Sequence, residues 1–486
     1  MDTTQISQSP VKSGSASPNA KPAARCSFCG METTLPGIFR KVPRSFSTGI
    51  DSCCPPCWEK RLKWRSLWGV LVIPLYAVIG FAALTFLPDK HYGFLSLNLA
   101  LLFTLAIAST IPHELAHALA AHCAGLRVFK IFLGDGRTWL RRTIRGVDVE
   151  LKIRPTSGVV VAGHREIRGY RWRQFLFILA GPAANVALVV LACAGMGFQF
   201  SAISSARWGL VQGIDGWMAL ACANCYLLLT NLWPRMIRTA VGLASSDGRN
   251  LFRALFAKPE LARASHAAWF RLEAAASDQS GRTAECLQWL ERGLALYPEN
   301  DGLLQLMGLR RLNSGEVLAS RQILVRLLIR MPPQSPARAI SLNNIAFADA
   351  LIGGGKLLSE ADRYSAQALA GLPWLRCVQN TRGTVLLFLG RLDEALTLLR
   401  SSAEDPKTDP GGAAQCQCLL AIAEAFCGNL TAAAQHREQA YRAEPECYLL
   451  PRADAAIRGE ELPPALGDLA GQNLELAADE DPVSVE

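Results

Sequence analysis

The stretch STIPHELAHALAAHC, residues 109–123, closes an apolar run that carries no charge from 92 to 112. On a helix His113 and His117 lie four residues apart and face the same way, so two imidazole nitrogens come within reach of one metal ion. Glu114 is the next residue round. Three ionisable groups at the end of an apolar span cost several kcal/mol unless a metal or partners compensate them. In the His-Glu-x-x-His pattern the glutamate is the general base that takes a proton from attacking water.

Working outward, half of the 486 residues are hydrophobic, and a chain of this length is expected to hold two to four domains. Four stretches lack charge for long enough to cross about 30 Å of hydrocarbon at 1.5 Å per residue: 66–88, 92–112, 174–206 and 216–234. No such run follows Pro234. Residues 1–65 hold ten Lys/Arg against four Asp/Glu, and 123–173 hold twelve against four, whereas the joins near 88–91 and 201–215 are nearly neutral. The positive-inside rule therefore places the N-terminus, the 123–173 segment and the C-terminal half in the cytoplasm. The net charge of +9 is mostly this topology signal. No motif for nucleic-acid binding accompanies it, so no nucleic-acid partner is expected.

Fifteen cysteines in a largely cytoplasmic chain argue for thiols and metal sites before disulfides. CSFC supplies Cys26 and Cys29, and CCPPC supplies Cys54 and Cys57, two knuckles able to build a tetrahedral thiolate zinc site. Cys53 is an alternative to Cys54. The half after residue 265 repeats: Gly281, Cys286, Gly293 and Pro298 are followed 34 residues later by Gly315, Ser320, Leu327 and Pro332. Later units keep the pattern at Gly390, Ala395 and Ser402 and at Gly428, Ala433, Ala440 and Pro445, with a looser unit at Ala361, Ala368 and Pro373. This resembles the tetratricopeptide repeat, which implies about five stacked helix pairs and a groove for a peptide or protein partner. Between the histidines and the third span, Val147, Val149, Leu151 and Ile153 alternate with charged residues, predicting a strand. SGVVVAG, 157–163, is expected to pair with it, leaving an exposed edge that could hold a substrate extended.

A catalytic zinc takes three protein ligands and keeps one position open, so a third ligand is required. His113-Glu114-x-x-His117, Gly181-Pro182-x-x-Asn185, and Asn231-x-x-Pro234 followed by Asp247-Gly248 together resemble the site-2 protease family of intramembrane metalloproteases. The likeness covers about residues 90–260. It implies a three-helix catalytic core, zinc held by His113, His117 and Asp247, Glu114 as base, and Asn185 polarising the scissile carbonyl. In one respect the chain departs from the family, which commonly places four residues between the proline and Asp-Gly where this chain has twelve. His164, His122, Cys123 and Asp135 are the alternative third ligands, His164 first among them.

The fold expected is mainly α: a polytopic helical membrane core of about four spans with a small β segment, plus a soluble α-solenoid. Its domains are a tail at 1–24, a zinc-ribbon-like module at 25–65, the membrane core at 66–260, repeats at 265–450 and an acidic tail at 460–486. The activity implied is regulated cleavage of membrane-anchored proteins at the bacterial inner membrane, in contact with the lipid bilayer, with catalytic and structural Zn2+. The competing reading is a membrane scaffold that binds zinc and a peptide but cleaves nothing.

Overall fold

The computed structural model describes residues 24–35, 37–43, 50–197, 211–239, 242–404 and 410–463; the terminal tails expected at 1–24 and 460–486 fall almost wholly outside them. The chain is mainly α-helical and divides into two compact units, one of Lys60–Tyr297 and one combining Met1–Glu59 with Pro298–Glu486.

The first unit is built on apolar helices. After α1 (Pro55–Phe86) come α2 (His91–Cys123), α3 (Tyr170–Gly195) and α4 (Gly216–Leu232). The second and third of these are long and apolar enough to cross a bilayer, while Leu71–Phe86 of α1 and Gly216–Leu232 are shorter apolar helices. Within the third uncharged stretch, 174–206, α3 stops at Gly195 and a turn follows at Met196 and Gly197; residues 198–206 lie outside the described residues. Helices α2, α3 and α4 pack pairwise. Their outward faces expose Leu115, Leu119, Val190, Leu191 and Leu229, apolar surface that a bilayer covers and water does not.

Between α2 and α3 run two long strands, β5 (Arg127–Ile144) and β6 (Val147–Gly163), paired antiparallel. Arg145 and Gly146 turn the chain between them with φ of 50° and 78°, the positive values that a tight hairpin turn requires. A second bend at Gly134, φ 98°, folds the ribbon on itself. As a result 130–133 have neighbours on both sides: Ile131 faces Val160 and Val149, and Leu133 faces Gly158 and Leu151. This corrects the expected pairing. The 147–154 and 157–163 segments belong to one strand and each pairs with β5 instead. Glu150 lies between Phe132 and Arg141, so it is interior; one edge is 158–163 and the other is 138–144.

The chain leaves α4 through a β-hairpin, β7 (Met236–Thr239) with β8 (Gly242–Ser245), and enters α5 (Asp247–Leu255). Helices α6 (Pro259–Gln279) and α7 (Thr283–Leu296) complete this unit. Gly163 lies against Trp269 and Leu272 of α6, and Arg127 pairs with Glu273 at 2.6 Å.

In the second unit, helix pairs follow one another: α8 (Asp301–Asn313) with α9 (Val317–Arg330), α10 (Pro336–Ile352) with α11 (Gly355–Gly371), α12 (Arg376–Phe388) with α13 (Leu392–Ala403), and α14 (Pro410–Phe426) with α15 (Leu430–Ala443), ending in α16 (Leu450–Arg458). The repeating glycines have a physical reason. Gly281, Gly315, Gly390 and Gly428 all stand at φ between 72° and 82°, left-handed positions that end one helix and start the turn into the next. The small residues expected to recur, Cys286, Ser320, Ala361, Ala395 and Ala433, are fully buried. There helices approach closely, as where Ser320 Oγ donates to the Gly308 carbonyl at 2.7 Å.

Candidate metal centre

His113 and His117 point from α2 into the interface with α3, and both are buried. Each ring is fixed from behind. Nδ1 of His117 bonds the Phe177 carbonyl at 2.7 Å, and Nδ1 of His113 bonds Oδ1 of Asn185 at 2.5 Å. With each Nδ1 engaged, each Nε2 faces inward, the two 3.2 Å apart. Gly181 makes room for them, since a methyl group there would run into both rings.

Asp247 arrives from α5. Its Oδ2 lies 3.1 Å from Nε2 of His113 and 3.6 Å from Nε2 of His117. Zinc bonds of 2.0–2.1 Å at tetrahedral angles hold donor atoms about 3.3 Å apart, so this donor set fits a zinc ion with one position left over. The twelve residues that separate Pro234 from Asp247 fold away as the β7–β8 hairpin, whose base is pinned: the Ser246 amide donates to the Arg235 carbonyl at 2.8 Å, and the Arg235 amide to Ser246 Oγ at 3.1 Å. Ser246 also caps α5, accepting from the Arg249 amide. Asp247 is therefore the first residue of a helix and not part of a surface turn. Gly248 is required because any side chain there would collide with the Leu232 carbonyl at the end of α4.

Glu114, the next residue on α2, is buried against β6. Gly158 is the residue it packs on, and a side chain at 158 would displace the Glu114 carboxylate. The part of β6 that reaches the centre is thus Gly158, at the start of the 158–163 edge. This is a signal that the sequence carried, in the glycine of SGVVVAG, without its purpose being legible.

The other candidate ligands lie elsewhere. His164 bonds Gln174 at 2.6 Å and packs on the Tyr170 ring, where burial lowers its pKa. His122 and Cys123 are exposed at the end of α2. The side chain of Asp135 lies outside the described residues. Among the described residues, His113, His117 and Asp247 form one of two groups able to hold a metal.

Asn185, expected at the scissile carbonyl, is held at both ends of its amide. Its Oδ1 is engaged by His113, and its Nδ2 donates to Oδ1 of Asn224 at 2.8 Å. Asn224, on α4, escaped the sequence reading because a single asparagine in an apolar helix has no spacing to mark it. Both asparagines are 0% exposed.

The second group is Cys26, Cys29, Cys54 and Cys57, whose sulfurs lie within 4.8 Å of one another. The strand pairs β1 (Ala24–Arg25) with β2 (Glu32–Thr33) and β3 (Arg40–Pro43) with β4 (Ile50–Cys53) frame it. Cys29 and Cys54 sulfurs are 3.5 Å apart, and the Cys54 amide donates to the Cys26 sulfur at 3.3 Å. Cys53 points away, its thiol directed at the Cys54 carbonyl, so of the two alternatives only Cys54 joins the group.

No curated protein matches the chain. Among solved structures it is similar to a thermophilic TPR protein of Thermus thermophilus, at 20% identity over 38% of this chain and 95% of that one with a TM-score of 0.30. It is also similar to a "MamA RS-1 ArsTM double mutant", at 16% identity over 37% and 94% with a TM-score of 0.26. From residue 100 to residue 434, more than half of its length, the chain matches peptidase family M50, and with paired histidines and an aspartate gathered among apolar helices it belongs to that family of membrane metalloproteases.

Proposed function

We propose that the chain is a site-2-protease-like zinc endopeptidase that cleaves membrane-anchored proteins within or beside the bilayer. The observation that carries this is the convergence of His113 Nε2, His117 Nε2 and the Asp247 carboxylate, with both Nδ1 atoms already engaged, inside a bundle whose outer face is apolar. Zinc, when bound, polarises the scissile carbonyl and acidifies water. The two histidines and Asp247 would hold it, and Glu114 takes the proton of the attacking water and passes it to the leaving amine. The 158–163 edge of β6, which starts against Glu114 at Gly158, holds the substrate segment extended by main-chain pairing.

The remaining parts fit regulated cleavage. The membrane core of 66–260 is flanked by basic segments that favour a cytoplasmic N-terminus, active-site mouth and repeats. The repeats recruit a partner. Their helices line a cavity of about 480 Å³ that includes Phe347, Asn343 and Asn380, and among the described residues the amide oxygens of both asparagines have no partner. The four-cysteine site holds a closed structural zinc, with no position for water.

Purified chain should carry two zinc ions. Asp247→Ala should lose one of them together with cleavage, because two ligands hold a catalytic metal poorly. Glu114→Gln should keep both and lose cleavage by a factor of at least about 10². Metal analysis with a membrane-substrate cleavage assay checks this. Full zinc and full activity in Asp247→Ala would place the third ligand elsewhere. Two zincs in the intact chain without cleavage of any membrane protein, and no effect of Glu114→Gln in cells, would make the chain a scaffold.

A further inference from the structure

We infer that Asn224 is a positioning residue that fixes the proton of the His113 imidazole, acting through Asn185 from a main-chain carbonyl on α4. The inference rests on the metal reading above and extends it beyond the three ligands.

An amide nitrogen only donates and an amide oxygen only accepts, and a main-chain carbonyl only accepts. The Leu220 carbonyl, one turn before Asn224, lies 3.0 Å from Nδ2 of Asn224, so the nitrogen must face it. The same nitrogen reaches Ser109 Oγ at 3.1 Å. The oxygen of Asn224 is thereby turned toward Asn185, where it accepts from Nδ2. That leaves Asn185 only its oxygen to offer His113, and an acceptor opposite Nδ1 requires the hydrogen of the neutral ring to sit on Nδ1. Nε2 keeps the lone pair that a metal needs. Reversing any link would set two donors or two acceptors face to face where no water enters, since both asparagines are fully buried.

His117 reaches the same state in one step, from the Phe177 carbonyl. His113 reaches it in three, across α2, α3 and α4, and the path returns through Ser109 to the helix it started from.

The test exploits that direction. Asn224→Leu removes the acceptor that orients Asn185, and zinc affinity at the histidine site should fall about 10- to 100-fold. In an Asn185→Asp background both carboxylate oxygens accept, so the group facing His113 no longer depends on residue 224. There the same Asn224→Leu change should move affinity by less than about threefold relative to its own Asn185→Asp parent. Affinity is measured by chelator competition on the full chain in detergent, with Asp247→Ala supplying the background of the cysteine site. Equal losses in the two backgrounds would mean that Asn224 acts by packing alone, and an unchanged affinity in Asn224→Leu would remove its role; either result overturns the inference. Should the leucine variant not fold, Asn224→Ala makes the same comparison. An intact chain with no zinc above the Asp247→Ala background would overturn the metal reading itself, and the inference with it.

Discussion

Gly158, Gly181 and Gly248 each stand where a side chain would strike a neighbour: the Glu114 carboxylate, the two imidazoles and the Leu232 carbonyl. His113, Glu114 and His117 are legible because a helix makes a spacing of four into a shared face. Asn224 is invisible because its meaning depends on what α3 brings beside it. The glycines stand between these cases. Gly181 and Gly248 are legible as members of a motif, and their purpose appears only with their neighbours: the two imidazoles for one, the Leu232 carbonyl for the other. The two therefore fail differently when substituted. Gly248→Ala meets rigid backbone and should push Asp247 out of the centre, so that one zinc is lost and cleavage with it. Gly158→Ala meets only the Glu114 side chain, so it should keep both zincs while cleavage falls at least about tenfold, from displacement of the base. Metal content and cleavage rate, measured together, separate the two. A Gly158→Ala chain of normal activity would show that Glu114 does not need its observed position.

At the scale of elements, long apolar runs and strict alternation identified helices and strands, but pairing could not be read from either. The sheet between α2 and α3 depends on bends at Gly134 and Arg145–Gly146, and a strand that bends presents an edge no alternation pattern can locate. The β7–β8 hairpin gives the same lesson. Counted along the chain, Asp247 is too far from Pro234; measured across the pinned base at Arg235 and Ser246, it is close. Replacing 236–245 with Gly-Gly would leave four residues between the proline and Asp-Gly, the spacing of the resembled family. Zinc at the histidine site should then be retained in full, and its loss would show that the hairpin itself shapes the centre.

Among the repeats, α9, α10 and α11 meet at a buried charge cluster in which Arg321 bonds Asp349 at 2.5 Å and approaches Glu360 at 3.4 Å. Burial, opposed by Arg321, pushes the Asp349 carboxyl up to about 7. An unfolded aspartate ionises near 3.9. Between those values the folded chain keeps a proton that the unfolded chain has lost, so stability of the repeats falls as pH rises from about 4 to about 7. Asp349→Asn should flatten that slope. Arg321→Met removes the charge that opposes burial, so the Asp349 carboxyl should hold its proton to higher pH; the loss of stability should reach about 3–5 kcal/mol well above pH 7 and be clearly smaller at pH 5, where the carboxyl is already protonated in the intact chain. Denaturant unfolding at the two pH values checks this, and an equal cost at both would show that Asp349 does not change its protonation between them.

At the scale of the whole molecule, the cysteine module and the repeats lie far apart in the chain and belong to one compact unit. The reason lies in a few residues of β2 and the loop after it. Thr33 donates from Oγ1 to the Gly371 carbonyl at 2.7 Å, the Thr34 amide donates to the Ala370 carbonyl at 3.1 Å, and Leu35 is buried in the same core as Tyr364 and Leu372. Phe39 packs on Trp374, ring centroids 6.0 Å apart. None of these residues belongs to a motif, so their partnership could not be read from spacing. Among the described residues, the segment from Ala24 to Cys57 has little core of its own, Cys26, Phe39 and Cys54 with their neighbours, and a module so small would depend on a metal at its four cysteines to keep shape. Cys29→Ser should therefore do more than remove one zinc. It should free Leu35 and Thr33 from the α11–α12 turn, open 24–53 to limited proteolysis and lower the unfolding midpoint of the repeats by about 2–4 °C for each kcal/mol of docking lost. The zinc held by His113, His117 and Asp247 should remain. If 24–53 stays protected in Cys29→Ser, the contacts with α11 hold the module without its metal; if the histidine-site zinc is lost as well, the two centres are not independent.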